Sequence, residues 1–169
     1  MKDLTKGKTS RLILAFAIPI FMANILQLTY SIVDTRIVGL YLGENSLAAV
    51  GATTTLSNLM IGFLMGLANG FAIITAQKFG ARDYAGVKKS FALSIKMGCI
   101  IALAITVLSL LFLRQILGFL NVSNDLMGMA VSYIFIIIAG LVATFLYDAC
   151  AAALRALGDT VTPLVILAV

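Results

Sequence analysis

Long apolar runs separated by short polar links set the plan of this chain. The runs extend from about Leu12 to Gly39, Leu47 to Ala76, Phe91 to Leu113 and Leu126 to Leu154, with a fifth beginning at Pro163. Each complete run reaches the ~20 residues a helix needs to cross a ~30 Å hydrocarbon core. The longer ones must tilt, kink or project into water. The pattern predicts an all-α, polytopic integral membrane bundle of four transmembrane helices plus the start of a fifth. The links are Leu42 to Ser46, Lys78 to Lys89, Gln115 to Asp125 and Arg155 to Thr162. Links this short place successive helices side by side and antiparallel.

The first run is not uniformly apolar. On a helix, Asn24, Gln27, Ser31, Asp34 and Thr35 fall within an arc of about 100°, with Arg36 pointing elsewhere. A carboxylate within a membrane span is costly and faces the bundle interior or a water-filled cavity. The functional reading is a pathway lining in which Asp34 takes up a proton or serves as a sodium ligand. The plainer reading is hydrogen bonding between helices, with Asp34 snorkelling to the interface. Pro19 lacks an amide proton and clashes with the carbonyl four residues back, which predicts a kink, either a hinge or a static bend. In the second run Gly62, Gly66 and Gly70 recur at four-residue spacing, which admits a close helix neighbour. Thr54, Asn58 and Asn69 adjoin that row and either line the same cavity or bond across the bundle. Asp148 in the fourth run lies under two turns from Arg155 on one face. The pair is either an interfacial charge tethered to the loop or part of a cytoplasmic gate.

Composition supports the membrane class. Of 169 residues, 62% are hydrophobic and 11% charged, against roughly 45–50% and 25% in soluble domains. The net charge of +5 does not mark nucleic-acid binding, because the basic residues sit between apolar runs. They orient the chain instead. Lys2, Lys6, Lys8 and Arg11 precede the first run; Lys78, Arg82, Lys88 and Lys89 fill the second link; Arg155 opens the fourth. The remaining ends carry only Arg36 and Arg114. The positive-inside rule puts the N-terminus and these links in the cytoplasm of a multi-pass plasma-membrane protein, with Asp34 in the outer half. Lys96, two turns into the third run, can snorkel to the cytoplasmic interface. The basic start could pass for a signal peptide, but the run after it is too long and lacks a small-residue cleavage site.

Little here suggests an enzyme. There is no histidine, and Cys99 and Cys150 fall in apolar runs without metal-ligand spacing. No nucleophile constellation is present, and two distant Asp residues do not make a catalytic pair. Asn121-Val122-Ser123 matches a glycosylation sequon by chance. Gly158 is placed to end the fourth helix, with Thr162 as N-cap and Pro163 in the first turn of the next. The last run covers roughly 10 Å, which predicts an N-terminal fragment of a longer protein.

Several segments resemble multidrug and toxic compound extrusion (MATE) transporters. They are Pro19, Tyr30-Ser31-Ile32-Val33-Asp34, Val38-Gly39, Leu42-Gly43, Leu47-Ala48-Ala49-Val50-Gly51, Gly62, Gly66, Ala76-Gln77-Lys78-Phe79-Gly80-Ala81, Leu154 to Thr160 and Thr162-Pro163. The resemblance covers essentially the whole chain. It implies a twelve-helix secondary transporter of two six-helix bundles, of which this chain supplies helices one to four and part of five. It implies export of organic cations in exchange for Na+ or H+, with no cofactor besides that coupling ion. Asp34 matches the family's functional first-helix acid, and the rest of that ion site lies on helices five and six. Asp148 and Lys96 depart from the pattern. Two other functions compete: a lipid-linked oligosaccharide flippase of related fold, and a non-transport packing or assembly protein.

Overall fold

The structure, a computed structural model, describes residues 9–168. Lys2, Lys6 and Lys8, used above for orientation, lie outside the described residues. Every regular element among the described residues is helical: α1 (Thr9–Gly80), α2 (Tyr84–Leu111), α3 (Leu113–Phe119), α4 (Asn124–Ala139), α5 (Leu141–Ala156) and α6 (Val161–Ala168).

Two expected spans are joined in α1. Its helical torsions continue through Pro19, and the interruption falls at Gly43, with φ 81° and ψ 176°. That region of backbone space is open essentially to glycine alone. Gly43 divides α1 into a first arm, Ala17–Tyr41, and a second arm, Ser46–Gly80, each long and apolar enough to cross a membrane. The third span is α2, which begins at Tyr84 and not near Phe91. Lys88 and Lys89 made its first two turns look like loop. The fourth span is broken: α4 and α5 meet at Gly140 with a 42° bend, where an unbroken helix was expected. The bend interrupts the helical ladder, and the Thr106 hydroxyl of α2 donates to the Ile138 carbonyl at 3.4 Å. Such cross-helix bonds satisfy backbone groups that lipid cannot. Part of the third link is itself the short helix α3.

The core is built from residues spaced by four. Ala130, Ile134 and Ile138 of α4 are buried, as are Leu141, Phe145 and Ala149 of α5, and Ser94, Gly98, Ala102 and Thr106 of α2. Leu64 and Ala68 of the second arm join them. Rows at this spacing form the ridges that interlock between helices. The close approach lies at Gly98, where an added Cβ would overlap the Phe145 ring. It does not lie at the glycine row read from the sequence. Around Gly62, Gly66 and Gly70 nothing comes within 4 Å of a Cβ position. Those glycines face outward, and no described helix packs against them.

One device ends three helices. Arg82, Asn121 and Gly158 all have positive φ, at 58°, 56° and 87°. At each, the next amide reaches back to the carbonyl five residues earlier: Asp83 to Lys78 at 3.0 Å, Val122 to Leu117 at 3.2 Å, Asp159 to Leu154 at 2.9 Å. This is the Schellman arrangement, which glycine favours; only the Gly158 instance carried glycine's mark in the sequence. Carboxylates then start the following helices. Asp83 accepts from the Gly86 amide at 2.8 Å and pairs with Lys78 at 3.4 Å. Asp159 accepts from the Thr162 hydroxyl at 2.7 Å and amide at 3.0 Å. Asp159, rather than Thr162, therefore holds the start of α6, because its side chain reaches the orphan amides of the first turn.

Candidate functional site

The first arm of α1 is the least covered span. No residue of its most apolar stretch is buried among the described residues. Asn24, Gln27, Ser31, Asp34 and Thr35 are all exposed on it. Two hydroxyls there are satisfied locally: Thr35 donates to the Ser31 carbonyl at 2.8 Å, and Thr29 to Ile25 at 2.9 Å. A carboxylate and primary amides have no comparable bond to their own helix. Asn24, Gln27 and Asp34 keep their hydrogen-bonding capacity for something else.

Two grooves open beside this arm. Ser31, Thr35, Arg36, Gly39 and Leu47 border one of about 510 Å³. Arg36, expected to point away from the stripe, lies on this groove with Ser31 and Thr35. The other, about 400 Å³, lies against α4 and is bordered by Val38, Ser46, Val50, Met129, Ser132 and Tyr133. Tyr133 of α4 faces the first arm across this groove, opposite Val38, which lies one turn along from Asp34, and sequence reasoning missed it. A tyrosine in an apolar run reads as core, and its only signal was Ser132 beside it on an otherwise apolar helix.

The other residues singled out are dispersed. Asn58 and Asn69 are exposed on the second arm. Its opposite face is buried and carries Thr53 and Ser57, whose hydroxyls donate to the carbonyls four residues back, Ala49 and Thr53, both at 3.1 Å. Thr54 does the same to Val50 at 2.8 Å from the partly open side. Asp148 and Arg155 are half-buried on α5 and do not close to an ion pair. Among the described residues no three His, Cys, Asp or Glu side chains come together as a metal cluster. Asp34 stands on the first arm as an exposed carboxylate outside any such cluster.

In the polar turns, the Gly86 amide and then Lys78 hold the Asp83 carboxyl below the usual carboxylate range, against a smaller opposing effect of burial. The Thr162 hydroxyl, followed by the Thr162 and Val161 amides, does the same for Asp159.

Comparison with known proteins bears on the family and the fold. A family model described as MatE matches residues 19–169. The chain is 26% identical over 162 residues to the probable multidrug resistance protein YpnP of Bacillus subtilis (strain 168), covering 96% of this chain and 36% of that protein. It therefore spans about a third of the length of the curated relatives it matches. Two solved structures share the fold. A MATE protein in the straight conformation superposes with a TM-score of 0.88 at 24% identity, over 97% of this chain and 36% of the other. A MOP superfamily transporter from Pyrococcus furiosus Vc1 (DSM3638), described with a binding pocket of reverse polarity, superposes with a TM-score of 0.89 at 24% identity, over 97% and 36%.

Proposed function

The chain belongs to the MatE family, and we propose that the whole protein is a secondary antiporter that exports cationic organic compounds in exchange for Na+ or H+. This chain then forms part of the first of two six-helix bundles. The observation that supports the reading best is the exposed stripe of the first arm, with Asp34 on its open face and Tyr133 of α4 bordering the groove one turn along. A negative side chain on an open face of a membrane span is kept where a cation has to be met.

The mechanism needs only one charge. Ionised Asp34 attracts a cationic substrate, and Tyr133 offers its hydroxyl as a hydrogen-bond partner. A proton or a sodium ion neutralises the carboxylate and weakens that attraction. If the inward- and outward-facing forms bind the ion with different affinity, the ion gradient drives exchange. Asn24, Gln27, Ser31 and Thr35 supply polar lining on the same arm, and Asn58 and Asn69 do so on the second. Pro19 gives the first arm a place to bend without losing a hydrogen bond it already lacks. Arg155 stays at the cytoplasmic end with Asp148, where the pair acts as a gate. The N-terminus and the basic links lie in the cytoplasm and the protein in the plasma membrane. The coupling ion and the organic cation are cargo, and no resident cofactor enters the scheme.

The test is export of a cationic dye by the full-length protein in vesicles under imposed proton or sodium gradients. Export that follows one gradient and vanishes in Asp34→Asn supports the proposal and names the ion. Normal coupled export by correctly folded Asp34→Asn protein refutes it. A second cargo has support from Arg36, which borders the Ser31–Thr35 groove and would suit the pyrophosphate of a lipid-linked oligosaccharide. Flux of such a lipid, with dye cations inert, would move the assignment there.

A further inference from the structure

A third groove lies at the opposite end of the second arm. It occupies about 550 Å³ between the last turns of that arm and the first turns of α2. Its mouth carries Lys78 and Lys89, and its floor carries Phe71, Ile74, Leu93 and Met97. Two further cations flank the mouth, Arg82 in the turn and Lys88 on the exposed side of α2. Asp83 also lines the groove, but its carboxylate is engaged by the Gly86 amide and by Lys78, which leaves Lys89 as the unpaired cation of the lining. Among the described residues Arg82, Lys88 and Lys89 have no carboxylate partner.

We propose that this groove binds an anionic phospholipid of the cytoplasmic leaflet, its phosphate at Lys89 and an acyl chain along Leu93, Met97, Phe71 and Ile74. The order of residues along the helices argues for this occupant. Met97 lies two turns deeper than Lys89, roughly 12 Å along α2, so charge gives way to apolar surface in the direction in which a lipid gives way from headgroup to chain. Unpaired basic groups where helices meet the cytoplasmic interface recognise acidic headgroups, and each contributes about fivefold to binding. Ser90 and Ser94 also line the groove, but their hydroxyls are engaged by Thr75 and by the Ser90 carbonyl, so the headgroup is left to the cations. The site does not depend on transport, so it stands or falls separately from the antiporter reading.

The test is native mass spectrometry of the full-length protein from detergent after incubation with phosphatidylglycerol, phosphatidylcholine or inorganic phosphate. Phosphatidylglycerol should be retained several-fold over phosphatidylcholine. Lys89→Gln should lower that preference about fivefold, and Lys89→Arg should keep it. Met97→Trp, which fills the floor, should reduce retention of phosphatidylglycerol while leaving phosphatidylcholine near its background. Equal retention of the two lipids overturns the proposal. So does full displacement of the lipid by millimolar phosphate, which would make this a free-anion site. A cross-link from Leu93→Cys to a later segment of the same protein would show the groove filled from within, and would also overturn it.

Discussion

The two arms of α1 handle polar side chains differently. The second arm buries Thr53, Ser57 and Thr75 in the core, and each hydroxyl donates to a carbonyl four residues back on its own helix. The first arm keeps Asn24, Gln27 and Asp34 on an exposed face. A hydroxyl needs one acceptor and finds it within one turn. A primary amide needs partners for two donors and an acceptor, and a carboxylate needs donors that a helix interior does not supply. Hydroxyls in a membrane helix are therefore weak markers of a site, because they are satisfied wherever they sit. Amides and carboxylates are strong ones. By that criterion Asn24, Gln27 and Asp34 on the first arm, and Asn58 and Asn69 on the second, are the residues to test first, and Thr35 is the weakest candidate.

This contrast can be tested from its largest consequence downward. Asp34→Asn should bring gradient-driven dye export to background, while Thr35→Val leaves it close to the parent's. Equal losses in both would erase the distinction between the two kinds of polar group. Next, the close packing that anchors the second arm's neighbours should be unforgiving at Gly98. Gly98→Leu drives a side chain into Phe145 and should cost about 1–3 kcal/mol in a detergent unfolding series. Gly66→Ala, on the open row, should change stability by under about 1 kcal/mol; a larger loss would show a later helix seated on that row. Third, Thr53→Val should cost no more than about 1 kcal/mol, since donor and acceptor are on one helix and the replacement keeps the shape.

The smallest effect concerns the turns. Asp83 and Asp159 have carboxyls held below their usual range of about 3.8. A group whose folded pKa is depressed adds stability that is complete above its unfolded pKa and lost as pH falls through the folded one. Helix starts at Tyr84 and Val161 should therefore loosen only below about pH 4, as followed by amide exchange at Gly86 and Thr162. Asp83→Asn keeps an acceptor for the Gly86 amide and should flatten the acid response at that turn while leaving the neutral-pH protection in place.

Most of the helical layout was visible in the sequence, because lipid leaves so few solutions for a long apolar run. Its interruptions were less visible. Gly43 sat in an expected link, but Gly140 sat in the middle of an apolar run, where a lone glycine is also compatible with unbroken helix. The bend there depends on α2 supplying Thr106 to a freed carbonyl, a partner that no local pattern reveals. The glycines teach the same lesson. Spacing singled out Gly62, Gly66 and Gly70, yet Gly98 is the one pressed against an aromatic ring, since packing is a property of two helices and spacing of only one. The polar stripe was legible from periodicity, and Asp34 stood out by its cost. Tyr133 did not, because its role exists only through its neighbour on another helix.

The single-residue break at Gly43 has a further consequence for how the stripe can evolve. Two helices joined by a floppy loop can drift in phase, and insertions in the loop change nothing. Here the azimuth of one arm is set directly by the torsions of one residue, φ 81° and ψ 176°. Each residue added to a helix turns everything beyond it by about 100°. One alanine inserted between Tyr41 and Gly43 would swing the second arm's buried face out of the core, or the Asp34 face away from α4. Four inserted residues would bring the phase back to within about 40°. Substitutions on the stripe leave this phase intact, whereas any change of length along α1 must come in nearly whole turns to keep it.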